Sequence, residues 1–172
     1  DRTMLVCATG TGKTTIFTEV LRRRADAGRG RALVLAHRLE LITQAVDRIR
    51  MIGLGVHVER AEEMAPLDPA STMEAADVVV ATVQTMRGRR LQRWRPDAFG
   101  TIVIDEAHRC VAASYRAVLD HFAGTKVIGV TATPDRGDGV AVGHVIDHLA
   151  YEYTLRQGIE QGYLCPLRAL SI

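Results

Sequence analysis

The stretch Cys7–Thr15, "CATGTGKTT", lies between the short apolar run Met4–Ala8 and a longer run with helical periodicity. Its second half fits the phosphate-binding signature G-x-x-x-x-G-K-[ST], although Cys7 stands where the signature has its first glycine. The signature requires a strand before the loop and a helix after it, and both are predicted here. The stretch therefore predicts a phosphate-binding loop in an α/β fold. The alternative is a glycine turn that only leads into a helix.

Four residues of this loop have side chains or backbones suited to a nucleoside triphosphate. Gly10 and Gly12 allow the backbone to curl its N–H groups around phosphate oxygens at the positive end of the following helix. Lys13 is placed to reach the β- and γ-phosphates, and the hydroxyl of Thr14 is placed to ligate Mg²⁺. The loop therefore predicts a nucleotide bound together with magnesium.

Short apolar, β-branched runs alternate with longer amphipathic runs along the chain. This alternation is typical of a parallel sheet with crossover helices, and it predicts a three-layer, doubly wound, mostly parallel α/β domain. Helices are predicted over Lys13–Ala27 and Leu39–Ile52, a loop over Glu62–Thr72, and a helix-like stretch over Leu155–Gln161. The predicted strands are Met4–Ala8, Ala32–Ala36, Val56–Glu59, Val78–Ala81, Thr101–Ile104 and Val127–Val130.

The composition is that of one soluble globular domain, with 172 residues, 47% hydrophobic and 24% charged. No apolar run approaches the roughly 20 residues of a membrane helix, so no membrane partner is expected and the cytoplasm is the predicted location. The scattered cysteines lack disulfide or metal-site spacing, which predicts buried free thiols at Cys7, Cys110 and Cys165. A strand at the very start and no second α/β unit at the end predict that residues 1–172 are one domain of a longer protein.

Two further loops follow apolar strands, and loops after parallel strands share one edge of the sheet. Asp105, in "DEAH", stands where such folds hold Mg²⁺, and Glu106 beside it can orient and polarise an attacking water. The hydroxyls of Thr131 and Thr133, in "TATP", are placed to hydrogen-bond the "DEAH" loop and to report the state of the γ-phosphate. Taken alone, "DEAH" could be a surface turn and "TATP" an ordinary exit from a strand.

With "ATGTGKT", "LAHRLEL", "ATVQTM", "DEAH" and "TATP" in this order, the chain resembles the first RecA-like domain of superfamily 2 helicases and translocases. The closing stretch Tyr151–Leu170 is similar to the segment that follows "TATP" in DNA helicases of the restriction-enzyme type. The resemblance implies a RecA-like P-loop NTPase fold, ATP and Mg²⁺ as cofactors, and ATP hydrolysis. It also implies an upstream adenine-recognition segment and a second RecA-like domain with an arginine finger, neither of which is in this chain.

The resemblance assigns roles by position. The phosphate loop is matched by Thr9, Gly10, Thr11, Gly12, Lys13, Thr14 and Thr15. The catalytic set is Lys13, Asp105, Glu106 and His108, with Thr14 and Asp105 as metal ligands. Coupling between ATP and nucleic acid falls to His108, Thr131 and Thr133. Contacts to the nucleic-acid backbone fall to Ala36, His37 and Arg38 in motif Ia and to Thr82, Gln84 and Thr85 in motif Ib.

The motif Ia and Ib assignments have structural alternatives. Hydroxyls and backbone amides at such loops suit phosphate contacts rather than base reading, which predicts binding without sequence preference. His37 and Arg38 could equally form a solvated helix start, and Thr82 could be a helix N-cap. The arginine-rich stretch "RGRRLQRWR" around Trp94 could extend a phosphate-tracking surface with Trp94 stacking on bases. The preferred alternative is an exposed charged helix with Trp94 in the core.

The motifs favour an ATP-dependent helicase or translocase. The chain contains no asparagine, which excludes the N-K-x-D guanine motif of a P-loop GTPase. A small-molecule kinase would leave "DEAH" and "TATP" without a role. DNA is favoured over RNA because "TATP" and "AHR" resemble duplex-DNA translocases and restriction helicases, and a nuclease or restriction-modification subunit is a possible partner. The alternatives are an RNA helicase and a truncated, non-catalytic nucleotide- or nucleic-acid-binding module, and the isolated chain is expected to hydrolyse ATP at most feebly.

Overall fold

The computed structural model describes residues 1–37, 39–60, 63–67, 76–133 and 143–166. Its strands in chain order are β1 (Arg2–Cys7), β2 (Ala32–Ala36), β3 (Val56–Glu59), β4 (Val78–Thr82), β5 (Thr101–Asp105), β6 (Lys126–Thr131) and β7 (His148–Tyr153). Its α-helices are α1 (Lys13–Asp26), α2 (Leu39–Met51), α3 (Gly88–Gln92), α4 (Ala113–His121) and α5 (Leu155–Glu160). A short 3-10 helix spans Ala107–Arg109.

The strands form one seven-stranded sheet in the order β3-β4-β2-β5-β6-β1-β7. Each neighbouring pair is parallel, so the carboxyl ends of the strands share one edge. At that edge β5, β6 and β1 lie side by side, and the three loops singled out in the sequence leave the sheet at neighbouring positions. The predicted doubly wound α/β fold is confirmed.

Helices cover both faces of this sheet. On one face, Phe17 of α1 and Ile49 of α2 are buried in a single apolar cluster with alternate residues of the central strands. On the other face, the ring of Phe99 packs between those of Trp94 and Phe122, with centroid distances of 4.9 Å to Trp94 and 5.2 Å to Phe122. Strands β2 and β4 are buried at every position, and every residue in them except Thr82 at the end of β4 is apolar.

The predicted strands are present, with small differences at their ends. Ala32–Ala36 and Val56–Glu59 have the predicted bounds. Strands β5 and β6 run one residue further, to Asp105 and Thr131, because parallel pairing continues past the last apolar side chain. Helices α1 and α2 each end one residue before the predicted end. Of the predicted loop at 62–72, residues 63–67 are described, and Glu63 among them forms an isolated antiparallel bridge with Arg60; the rest of the loop lies outside the described residues.

Two expectations need correction. The prediction missed β7, in which every residue except Tyr153 is exposed, so that no apolar run marks it. This strand is defined by its pairing with the outer side of β1 rather than by burial. The prediction of three buried thiols was wrong for Cys165, which is exposed in the segment after α5, whereas Cys7 and Cys110 are buried. Within the described residues, no helix is long and apolar enough to cross a membrane.

Candidate active site

The first loop reverses direction within a few residues of the end of β1. Gly10 and Gly12 each have a φ of 85°, in the left-handed region that favours glycine. Between them, the N–H and the hydroxyl of Thr11 both donate to the carbonyl oxygen of Ala8, at 3.3 and 2.6 Å. The loop thereby leads directly into the first turn of α1, which is the geometry that surrounds a phosphate group with N–H donors.

Lys13 is the first residue of α1 and reaches back over the loop. Its Nζ donates to the carbonyl oxygen of Cys7 at 3.3 Å, so the ammonium group lies at the mouth of the loop. Thr14 and Thr15 follow it and line a cleft of about 560 Å³ between the loop and α2. Burial raises the pKa of the Cys7 thiol and the charge of Lys13 only partly opposes this, so Cys7 is a packed strand-end residue rather than a nucleophile.

The second loop begins at Asp105, the last residue of β5. Burial raises the pKa of this carboxyl, and the neighbouring charge of Glu106 raises it further. The N–H of Glu106, which donates to Asp105 Oδ1 at 3.1 Å, and the charge of Lys13 both act in the opposite direction. The influence of Lys13 on Asp105 places the two predicted catalytic groups in one electrostatic environment.

Glu106 is held in an unusual backbone conformation. It has φ 57° and ψ 52° at the start of the 3-10 helix, and it is the one non-glycine residue with positive φ among those that the structure describes. Such a conformation costs about 1–3 kcal/mol and persists only where the surroundings enforce it. It brings Oε2 of Glu106 to 3.3 Å from Nδ1 of His108. The strained turn therefore orients the carboxylate that the sequence predicted as the water-activating group.

A hydrogen bond joins the second loop to the third. Nδ1 of His108 lies 3.1 Å from the hydroxyl of Thr131, at the end of β6. The same hydroxyl is 3.2 Å from the N–H of Thr133. Thr131 is buried and Thr133 is exposed, so the contact between these two residues connects the interior of the protein to its surface. Pro134, the last residue of "TATP", lies outside the described residues.

The three loops open onto one cleft of about 480 Å³. Its lining includes Thr9, His37, Glu106, His108, Arg109 and Thr133. Sequence reasoning missed Arg109, which the 3-10 helix turns toward the cleft and whose only signal was its place directly after "DEAH". His37 of motif Ia reaches this cleft from the end of β2, whereas Arg38 lies outside the described residues.

The predicted motif Ib residues do not line this cleft; Thr82 is the last residue of β4, and Gln84 and Thr85 lie in the turn that follows it. The hydroxyl of Thr82 is 2.7 Å from that of Thr85 and accepts the N–H of Thr85 at 3.1 Å. Thr82 therefore closes a turn but does not cap a helix, because the next helix, α3, begins only at Gly88. Gln84 is exposed in that turn. Among the three, only Gln84 presents a side chain that is fully available at the surface.

The arginine-rich stretch is organised around a buried Trp94, only 2% of which is exposed. The guanidinium groups of Arg31 and Arg93 lie 5.5 and 5.3 Å from its ring centroid, a cation–π arrangement. Trp94 cannot stack on a base in this position, so the preferred interpretation of a core tryptophan is confirmed. Arg87, the residue before α3, and Arg89 within that helix are exposed.

The residues present fit a magnesium ion held mainly by nucleotide. Mg²⁺ prefers oxygen ligands and is bound in such sites by one or two protein groups together with phosphates. Thr14 and Asp105 provide a hydroxyl and a carboxylate of this kind. Within the described part of the chain, no cluster of three or more His, Cys, Asp or Glu side chains could hold a metal by itself. A cation beside Asp105 would also favour its ionised form, which burial alone disfavours.

Comparison with known proteins gives consistent matches over nearly the whole chain. Residues 1–136 match the family described as type III restriction enzyme, res subunit. The chain is 38% identical to the ATP-dependent helicase candidate IRC3 of Saccharomyces cerevisiae, over 96% of this chain and 25% of that protein. It is 32% identical to the type I restriction enzyme EcoAI endonuclease subunit of Escherichia coli, over 100% of this chain and 22% of the relative.

A solved structure with the same architecture is the Hef helicase domain of Pyrococcus furiosus. It superposes with a TM-score of 0.73 at 28% identity, over 88% of this chain and 34% of that one. The chain spans about a quarter of the length of the two curated relatives.

Proposed function

Since the chain belongs to the family of type III restriction enzyme res subunits and has the RecA-like fold of superfamily 2 helicases, we propose that it is the ATP-binding first domain of an ATP-dependent helicase or translocase. The proposed substrate of the whole protein is nucleic acid, DNA in preference to RNA. The whole protein would also contain an upstream adenine-recognition segment and a second RecA-like domain. One observation carries the proposal: Thr9 at the start of the phosphate loop lines a single cleft together with Glu106 and His108 of "DEAH" and Thr133 of "TATP".

The first step in the proposed mechanism is the capture of the triphosphate. The N–H groups of the glycine loop and of the first turn of α1 would hold phosphate oxygens, while Lys13 leaves the Cys7 carbonyl to bind the β- and γ-phosphates. Thr14 and Asp105 would hold Mg²⁺. When bound, this ion neutralises charge that develops on the phosphates.

Glu106 is the proposed group that orients water. Its strained backbone aims the carboxylate into the cleft, where it can accept a proton from water attacking the γ-phosphate. His108, 3.3 Å from that carboxylate, limits its freedom to rotate. A second RecA-like domain would supply the arginine finger that completes the transition-state charge balance.

His108, Thr131 and Thr133 are the proposed link between ATP and nucleic acid. The hydrogen bond between His108 and Thr131 joins the catalytic loop to the end of β6, and the Thr131 hydroxyl in turn contacts the N–H of Thr133. A shift of Glu106 on hydrolysis would therefore change the position of Thr133. His37 lines the same cleft from motif Ia and is a proposed contact to the nucleic-acid backbone. Arg38, Thr82, Gln84 and Thr85 are further proposed contacts.

DNA is the proposed substrate because of the "AHR" and "TATP" motifs and because one relative is named as a restriction endonuclease subunit. Such a parent protein would work beside a nuclease or modification subunit. Contacts made by hydroxyls and exposed polar groups are suited to phosphates, so binding would not depend on base sequence.

The deciding experiment compares two lysine variants of the full-length protein. Lys13→Ala should reduce nucleic-acid-stimulated ATP hydrolysis by at least about 100-fold, because it removes the cation that binds the transferring phosphate. Lys126→Ala is the matched control, since Lys126 is the only other lysine and pairs with Asp1 at the surface. Unchanged turnover in Lys13→Ala would contradict the site. Titration with duplex DNA, single-stranded DNA and RNA would identify the preferred substrate.

A further inference from the structure

The chain from β7 to Leu164, residues 148–164, lies directly against the phosphate loop. It comprises β7, α5 and the turn after α5, and it is here named the β7–α5 segment. β7 pairs with β1 on the side opposite to β6, so the segment approaches the loop from the side away from "DEAH". We propose that Leu164 is a positioning residue for ATP binding, through which this segment holds the phosphate loop in its binding shape and is itself ordered when phosphate binds. The inference rests on the proposed function, because it concerns the same phosphate site.

Two contacts of this segment with the loop are made by backbone atoms. The N–H of Ala8 donates to the carbonyl oxygen of Tyr153, the last residue of β7, at 3.0 Å. A Cβ added to Gly158 of α5 would lie 3.6 Å from Cγ2 of Thr11, so the backbone of the helix reaches the side chain of Thr11. The hydroxyl of Thr11 itself donates to the carbonyl oxygen of Ala8. The segment therefore contacts the same two residues that close the first turn of the loop.

The third contact is made by the side chain of Leu164 and acts on Gly10. A Cβ added to Gly10 would lie only 3.1 Å from Cδ2 of Leu164, so the leucine fills the space beside this glycine. Gly10 needs its positive φ for the loop to curl, and Leu164 lies against that point of the backbone. Leu164 is absent from the described lining of the two clefts proposed for the triphosphate. It therefore touches the loop rather than the ligand, which makes it a positioning residue.

Leu164 is presented to the loop by an ordered turn at the end of α5. Gly162 has a φ of 77°, and its N–H donates to the carbonyl oxygen of Ile159 at 3.0 Å. The N–H groups of Tyr163 and Leu164 both donate to the carbonyl oxygen of Gly158, at 2.9 and 3.0 Å. The bonds of Gly162 and Tyr163 form a Schellman motif, a common way for a glycine to end a helix. The backbone that carries the Leu164 side chain is thus fixed relative to α5.

The order of α5 depends in turn on its contact with the loop. The helix has six residues, whereas isolated helices shorter than about 12–15 residues are marginal in water. A capping box between Thr154 and Gln157 supports its first turn. Gly158 is the one buried residue of this helix, and it is the residue that packs against Thr11. A ligand that fixes the loop should therefore also fix α5, because coupling between two sites is reciprocal.

Calorimetry on the full-length protein with Mg²⁺ tests the inference with two ligands, ATP and inorganic tripolyphosphate, which carries phosphates alone. Leu164→Ala should weaken the binding of both by about 10-fold, because apparent affinity falls with the fraction of molecules whose loop has the binding shape. In ATP hydrolysis, KM should rise by about the same factor while kcat stays within about 2-fold of wild type, since saturating ATP restores the loop. Lost stability alone would not divide KM from kcat in this way.

Three further variants separate positioning from a general effect of mutation. Leu164→Met should bind both ligands like wild type, because this swap conserves volume. Gly158→Ala should weaken both, since its Cβ would lie 2.7 Å from Cδ1 of Leu164 and displace that side chain, although alanine favours a helix more than glycine does. Leu155→Ala is the matched control at the start of the same helix, where Leu155 is 42% exposed, and it should bind like wild type.

Hydrogen exchange measures the coupling in the reverse direction. The amides of Tyr163 and Leu164 report on the turn, since both bond to the carbonyl oxygen of Gly158. Tripolyphosphate should slow their exchange in wild type by up to about 10-fold, matching the affinity that Leu164→Ala loses. The same concentration should leave exchange unchanged in Lys13→Ala, which would not hold the phosphates.

The outcomes distinguish this inference from the phosphate site on which it rests. Wild-type affinity for both ligands in Leu164→Ala and Gly158→Ala would overturn the inference and leave the phosphate site intact. Weakening of ATP without weakening of tripolyphosphate would also overturn it, because the effect would then lie outside the loop. Failure of wild type to bind either ligand, or of Lys13→Ala to weaken both, would refute the phosphate site and the inference together.

Discussion

Replacing Gly129 with alanine should displace the "DEAH" loop through one added methyl group. Gly129 lies in β6, beneath the 3-10 helix that carries His108. A Cβ at this position would lie 2.7 Å from Cβ of Ala107, 3.6 Å from Cδ1 of Ile146 and 3.7 Å from the carbonyl oxygen of Thr3. Carbon atoms pack best at about 3.5–4.0 Å. The contact with Ala107 is therefore too short, and the 3-10 helix must move.

The net cost can be set from two opposing effects. Overpacking a well-filled core costs about 1–3 kcal/mol. Replacing a glycine within a strand by alanine stabilises the fold by roughly 0.5–1 kcal/mol, because alanine loses less backbone entropy on folding. Taking the middle of each range, the free energy of unfolding of Gly129→Ala should fall by about 1 kcal/mol, measured by urea denaturation. Gly124→Ala is the control, because a Cβ there meets nothing within 4 Å. Its stability should remain within about 0.5 kcal/mol of wild type.

A double-mutant cycle identifies the contact responsible. Ala107→Gly removes the methyl group that the new Cβ would strike, and Gly129→Ala combined with Ala107→Gly should be more stable than the sum of the two single effects by about 1–2 kcal/mol. In the full-length protein, Gly129→Ala should also slow ATP hydrolysis, since His108 moves with Ala107. Wild-type stability of Gly129→Ala, or strict additivity in the cycle, would refute the packing of the "DEAH" loop on β6.

Three other predictions concern single side chains. Glu59→Gln should lower the free energy of unfolding, measured in urea, by about 3 kcal/mol. The buried carboxylate of Glu59 accepts the N–H of Ala65 and faces the guanidinium groups of Arg90 and Arg93. A loss of less than about 1 kcal/mol would contradict this reasoning. Two guanidinium groups lower the pKa of Glu19 from 4.5 to about 2, so its stabilising effect is complete above pH 4.5 and is lost as the pH falls through about 2. In Glu19→Gln, the melting temperature should therefore fall less steeply than in wild type as the pH is lowered from about 4.5 to about 2. An equally steep fall in the variant would exclude this carboxyl as a cause. A thiol-reactive disulfide reagent should label one cysteine, Cys165, in the native protein and all three in denaturant, and more than one rapid native reaction would contradict the burial of the others.

The fold was predictable where burial governs the sequence. The strand Ala32–Ala36 is covered on both faces, so an uninterrupted apolar run marks its bounds. The edge strand β7 has no buried apolar run by which it could be recognised, because its side chains are mostly exposed. Its partner β1 is also far away in the chain: Arg2, which begins β1, contacts Asp147, just before β7, across 145 positions. Local patterns contain no information about pairing at that separation.

The candidate site was predictable as a set of motifs but not as a geometry. The residue types after β1, β5 and β6 indicate phosphate, metal and water chemistry, and parallel strands bring them to one edge. The bond between His108 and Thr131 depends on β5 and β6 being neighbours, which the chain order leaves open. Arg109 could not be assigned because its direction depends on the 3-10 turn that follows Glu106.

The position of β6 accounts for how the candidate site can act as one unit. This strand lies between β5 and β1 in the sheet, and its residues pair with both. Its end contributes Thr131 to the bond with His108, and Gly129 within it supports Ala107 of the same loop. A change at the phosphate loop can thus reach "DEAH" through one strand, the contact between His108 and Thr131, and the close approach of Ala107 to Gly129. Because a strand paired on both sides resists bending, we expect the two loops to move together rather than independently.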